Sequence, residues 1–208
     1  MFNNIPPVVK NLIIINILIL IAMSINKVFM LENFALFYPA SPFFKPYQYI
    51  TYMFMHGGFA HIFFNMYALF LFGSVLERVW GGKKFFIYYM ITGLGAAAFF
   101  TFINWLLTTG YTYAEYIELL RTPTVGASGA VFGLLLGYGM LFPNSVLQLI
   151  FPPVAIKAKW LVIIYGGLEL VLGLSFPGSK IAHFAHLGGM LFGFILIKYW
   201  NKKGRMYF

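Results

Sequence analysis

Thr124-Val125-Gly126-Ala127-Ser128-Gly129-Ala130-Val131-Phe132-Gly133 sets the Ser128 hydroxyl among glycines, at the start of an apolar run that reaches Leu141 without a charge. Two readings fit a serine in such a place. It is a small residue that lets two membrane helices pack closely, or it is a nucleophile whose base must be brought alongside by the fold. The stretch alone does not choose between them.

Outward from that stretch, the chain is 61% hydrophobic and only 9% charged, with a mean hydropathy of +0.83. Soluble domains carry about 25% charged residues, so this is the composition of a polytopic membrane protein. A length of 208 residues holds about six spans with short connections and no sizeable soluble domain. The first apolar run starts near Asn11 with no small-residue cleavage site after it, so it is expected to be a span, not a leader. Cysteine is absent, which removes disulfides, zinc thiolates and thiol nucleophiles together. The net charge of +9 does not mark a nucleic-acid partner, because the basic residues sort by connection and form no patch.

The expected fold is all-α, with six transmembrane helices at about 11–30, 59–76, 84–107, 127–142, 159–175 and 181–199, in one domain covering 1–208. Pro123, Pro143, Pro152, Pro153 and Pro177 fall in the connections, where a missing backbone donor does least harm. With a cytoplasmic N-terminus, ten of the fourteen Lys and Arg residues lie inside: Lys10, Arg78, Lys83, Lys84, Lys157, Lys159, Lys198, Lys202, Lys203 and Arg205. Only Lys27, Lys45, Arg121 and Lys180 lie outside. That bias predicts that both termini face the cytoplasm. The first connection, about 31–58, is rich in aromatics such as Phe34, Phe37, Tyr47 and Tyr52. It is expected to lie partly in the membrane interface, although an ordinary aromatic belt accounts for some of these residues.

Within the spans, His61, Asn65, Ser128, Glu169, His183 and His186 require explanation, since polar groups in a membrane are costly. Single buried histidines are commonly structural. Here, however, helical rise places Ser128, His186, His61 and Asn65 at similar heights, roughly 18–25 Å above the cytoplasmic ends of their spans. Packing alone does not require three spans to put polar groups in one layer. Gly129, Gly133 and Gly137 form a stripe on span four, and Gly189 and Gly193 share a face with His186 on span six. If these small-residue stripes pack together, the hydroxyl and the imidazole come within hydrogen-bond reach. The start of span four offers free backbone N–H groups to an oxyanion, and Asn65 and His61 offer side-chain donors. Glu77 lies at the far end of span two, and Glu169 is expected to make a structural hydrogen bond to a neighbouring helix. No carboxylate is therefore expected beside the base, and the chemistry reads as a Ser-His dyad. The orientation of the ring is left to packing or to an aromatic neighbour that the sequence does not identify.

Three pieces, Gly126-Ala127-Ser128-Gly129, the stretch from His56-Gly57-Gly58 to His61 and Asn65, and Ala185-His186-Leu187-Gly188-Gly189, together resemble the rhomboid family of intramembrane serine proteases. The resemblance implies Ser128 as nucleophile and His186 as general base, with His61, Asn65 and the Ser128 N–H forming the oxyanion hole. It also implies a membrane-embedded first loop, and a lateral gate and cap made by span five and residues 176–180. The substrates it implies are transmembrane segments of membrane proteins in the lipid bilayer, cut near their outer end. His56, His183, Gly126, Gly129, Gly133, Gly189 and Gly193 are expected to support or pack the site. No cofactor and no metal are implied. The minimal six-span form suggests a bacterial inner membrane. Two departures touch the scaffold: Tyr47-Gln48 stands where the family commonly has Trp-Arg, and Glu77-Arg78-Val79 lacks the final Arg of a Glu-x-Arg.

Three other classes compete. A non-catalytic rhomboid-like binding or extraction factor usually lacks the serine or the histidine, and this chain has both. A transporter or channel is disfavoured because the polar set of this chain is confined to the outer half, with only Glu169 and the loop charges elsewhere. A zinc protease is disfavoured by the lack of His-Glu-x-x-His and of a carboxylate expected beside the histidines.

Overall fold

A computed structural model describes residues 5–149, 153–175, 180–202 and 204. Pro152, Pro177, Lys203, Arg205 and residues 176–179 of the expected cap lie outside the described residues. The helices in chain order are α1 (Pro7–Ile25), α2 (Lys27–Phe34), α3 (Gln48–Thr51) and α4 (Phe59–Trp80). They are followed by α5 (Gly82–Leu107), α6 (Tyr113–Arg121), α7 (Ser128–Leu141), α8 (Ala158–Ser175) and α9 (Lys180–Lys202). Between α7 and α8 a small antiparallel hairpin, β1 (Val146–Gln148) and β2 (Ala155–Lys157), is the described exception to an all-α fold.

Helices α1, α4, α5 and α8 are long and apolar enough to cross a membrane. Their outward faces carry bare hydrocarbon, for example Leu18, Ile21, Ile163 and Leu174, as lipid contact requires. Helix α7 has only 14 residues and sits inside the bundle, with Leu134 and Ala130 buried. The first span departs most from expectation, starting and ending early. Pro7 suits a first helical turn because its missing N–H is unused there. Asn26 breaks the run because its side chain accepts the Phe29 N–H at 3.0 Å and caps α2 instead. Inside α4, residues Leu69–Gly73 form a π-helical turn, which inserts one residue into the helical register.

The glycine stripes meet at one point only, which corrects the expected lateral packing. A Cβ on Gly189 would collide with the Gly129 carbonyl oxygen, so α9 crosses α7 there with backbones in contact. Gly133 instead makes room for Thr92, and Gly137 for Tyr88 and Trp80. Gly193 also faces Tyr88 and Thr92. Most of the stripe therefore admits α5, whose buried Tyr88 hydroxyl donates to the Gly133 carbonyl at 2.8 Å. A glycine row shows that a neighbour comes close, and leaves open which helix it is.

The Tyr47-Gln48 departure has a local solution. Gln48 is fully buried in the first connection. Its Nε2 donates to the Phe43 carbonyl at 2.9 Å, and its Oε1 accepts from the Lys45 N–H at 3.1 Å. The loop is then clamped to the segment preceding α7: Leu36 and Thr124 exchange backbone hydrogen bonds at 2.8 and 2.9 Å, and Gly126 N–H donates to the Tyr52 carbonyl at 2.9 Å. Glu77, also buried, accepts the Val8 N–H at 3.0 Å and the Val9 N–H at 2.8 Å. It thereby satisfies two of the donors left free at the start of α1.

Candidate active site

Ser128 is the first residue of α7, and His186 lies on the face of α9 that crosses it. The crossing at Gly129 and Gly189 sets their separation: Ser128 Oγ and His186 Nε2 are 2.8 Å apart. The His186 ring lies flat on Phe132, with centroids 4.3 Å apart and planes within 6°. Phe132 stands one helical turn after Ser128, so the same face of α7 carries both the hydroxyl and the surface under the imidazole.

His61, on α4, flanks the serine from the other side. Its Nδ1 accepts the Gly57 N–H at 3.2 Å. A neutral ring that accepts at Nδ1 carries its proton on Nε2, which is thus a donor. That nitrogen lies over Gly126, where a Cβ would come within 2.9 Å of His61 Nε2 and 3.6 Å of Ser128 Oγ. Gly126 also has φ +132°, so both conformation and space demand glycine there. Asn65 is buried, and one of its amide hydrogens goes to the His61 carbonyl at 2.8 Å. The second amide hydrogen makes no hydrogen bond to the described residues. His56 packs edge-on against His61, 5.0 Å between centroids, and supports it from behind.

The expectation that no carboxylate reaches the histidines is overturned. Glu169 Oε2, from α8, lies 2.6 Å from His183 Nδ1 and 3.0 Å from His186 Nδ1. The ligand-type atoms of Glu169, His183 and His186 all fall within 4.8 Å of one another, a set that could hold a metal ion. That removes one premise used against zinc chemistry, although His186 Nε2 is turned to Ser128 and not to this cluster. The sequence contained the signal: a mid-span carboxylate needs partners, and two histidines stood three residues apart on one neighbouring helix. The rotation of α8 that joins them was not in the sequence. The two helices pack closely here, with Gly173 of α8 facing His183 and Phe184 of α9.

The sequence matches the family model described as Rhomboid domain over residues 43–202. The chain belongs to the rhomboid family. It is similar to YdcA of Bacillus subtilis, 31% identical over 147 residues that cover 71% of this chain and 63% of that protein. The mitochondrial Rhomboid protein 1 of Saccharomyces cerevisiae is 29% identical over 150 residues, 72% of this chain and 40% of the relative. The rhomboid protease AarA of Providencia stuartii is 28% identical over 149 residues, 69% of this chain and 52% of the relative. The match thus spans between 40% and 63% of these relatives' lengths. Rhomboid membership and the apolar helices together make this an all-α polytopic integral membrane protein.

Proposed function

We propose that this rhomboid is an intramembrane serine endopeptidase that cleaves transmembrane segments of other membrane proteins near their outer end. The observation that carries the reading is the 2.8 Å contact between Ser128 Oγ and His186 Nε2. Relatives named as rhomboid proteases support it. In the first step Oγ bonds to the scissile carbonyl carbon while its proton passes to His186 Nε2, and the carbonyl π pair moves onto oxygen. The resulting oxyanion is met by the Ser128 backbone N–H, His61 Nε2–H and the free amide hydrogen of Asn65. The imidazolium then protonates the departing amine as the C–N bond breaks. Water, deprotonated by the same nitrogen, releases the acyl group and restores Ser128.

The rest of the chain serves delivery and shielding. Six spans in one domain carry the site, with both termini cytoplasmic in a bacterial inner membrane. The first connection sits in the bilayer, and α8 with residues 176–180 admits the substrate helix. His183 stays at the rim, His56 supports His61, and the glycines set helix spacing.

The reading is tested with a fluorophosphonate probe on detergent-solubilised protein. Labelling of the native chain and none of Ser128→Ala is expected. Equal labelling of both, or none of either, removes Ser128 as nucleophile.

A further inference from the structure

Glu169 is a carboxylate in the middle of an apolar helix, only 9% exposed, on a chain with five acidic residues in all. Such a group must be satisfied by the protein. A hydrogen bond to His183 alone would do that, and at 2.6 Å it is made. Yet the same oxygen also lies 3.0 Å from His186 Nδ1, a close ion-pair contact in which the ring nitrogen is buried and not in line for a full hydrogen bond. The two rings stand nearly perpendicular, at 87°, and each brings its Nδ1 to within 3.0 Å of this oxygen.

We propose that Glu169 is a positioning residue for His186, so that α7, α9 and α8 together carry a Ser128–His186–Glu169 relay in place of a dyad. The proposal rests on the protease reading above. Stacking on Phe132 fixes the plane of the imidazole but not its flip, because a half-turn about the Cβ–Cγ bond keeps the ring flat and exchanges its edges. The carboxylate decides that choice. It only accepts, so it selects the tautomer with the proton on Nδ1 and leaves the Nε2 lone pair facing Ser128. When Nε2 takes the serine proton, the imidazolium forms beside a fixed negative charge while the carboxylate stays ionised. No proton is transferred to Glu169, and none is lost from the cycle. His183 holds the other side of the same oxygen and restrains the carboxylate from turning away.

The test uses the full-length protein in detergent with a model transmembrane substrate, and compares native, Ser128→Ala, Glu169→Gln, Glu169→Asp and His183→Gln. With native cleavage present and Ser128→Ala dead, Glu169→Gln is expected to lower kcat by about a hundredfold or more with little change in KM. It should slow fluorophosphonate labelling in parallel. Glu169→Asp should recover part of kcat, and His183→Gln, which removes only one restraint on the carboxylate, should lower kcat by clearly less than Glu169→Gln does. Thermal unfolding identifies any variant that fails to fold, and Glu169→Asp then carries the comparison. Native kcat in Glu169→Gln overturns the proposal while leaving the nucleophile intact. Equal losses in His183→Gln and Glu169→Gln also overturn it, because Glu169 would then act only through His183. A third overturning result is inactivation of the native protein by EDTA with recovery on adding zinc, which would make the cluster a metal site. An inactive native protein, by contrast, sinks the protease reading itself.

Discussion

Two glutamates of this membrane protein are buried to a similar degree, Glu77 at 4% exposed and Glu169 at 9%, and they face opposite kinds of partner. Glu77 takes two backbone N–H groups at the start of α1. Those donors are fixed by the helix itself and cannot change protonation, so the carboxylate ties α4 to α1. Glu169 hydrogen-bonds one imidazole, that of His183, and lies 3.0 Å from a nitrogen of a second, that of His186. Their protons are mobile, and one ring touches a serine hydroxyl. Burial of a charge is therefore not by itself a functional sign. What separates the two carboxylates is whether their partners can titrate and whether a reactive atom lies one bond further on.

That contrast can be broken or sharpened by substitution. The largest effect is expected for His186→Ala, which should lower cleavage by about 10⁴-fold or more while thermal unfolding stays near native. Normal turnover in that variant would end the dyad and the relay together. The same isosteric change at the two glutamates should then split the readouts. Glu169→Gln moves kcat, as set out above, with the bundle still folded. Glu77→Gln should cost about 1–2 kcal/mol of stability by weakening two charge-assisted hydrogen bonds, with turnover per folded molecule unchanged. Detergent-based thermal unfolding and activity measured on the same samples separate these outcomes, and a kcat loss in Glu77→Gln would erase the distinction. The smallest change is expected for Phe132→Leu. Losing the stacked ring removes about 0.5–1.5 kcal/mol of contact, so kcat should fall a few-fold and stay well above Glu169→Gln.

The sequence placed the elements well because hydrophobic runs and prolines mark where a helix in lipid begins and stops. The starts of α4, α7 and α8 lie within a residue of expectation. It misplaced the first span because Asn26 acts as a cap, and a lone asparagine in an apolar run does not announce that role. Ser128 and His186 were legible as a pair because each heads a row of small residues. The detailed packing was not, since Gly133 and Gly137 make room for Thr92 and Tyr88 of α5 and not for α9. Phe132 could have been read from its spacing, one turn beyond Ser128. Glu169 could not be assigned, because spacing along α8 says nothing of how that helix is rotated toward α9. The Tyr47-Gln48 departure was a scaffold question that only coordinates answer, with Gln48 bonded on both ends of its amide.

The π-helical turn at Leu69–Gly73 has a consequence for how α4 works as a part. One residue of a regular α-helix is worth about 100° of rotation. The added residue therefore sets the phase of the helix above it apart from the phase below. The upper half sets His61 beside Gly126 and Ser128, and the lower half sets Glu77 against the start of α1. Removing one residue from 69–73 would leave a straighter, equally apolar span able to satisfy only one of those directions. The turn acts as a coupling between two shafts cut at different angles: the end of the helix at Glu77 and the end at His61 are keyed separately, and each can be held rigidly without dragging the other out of line.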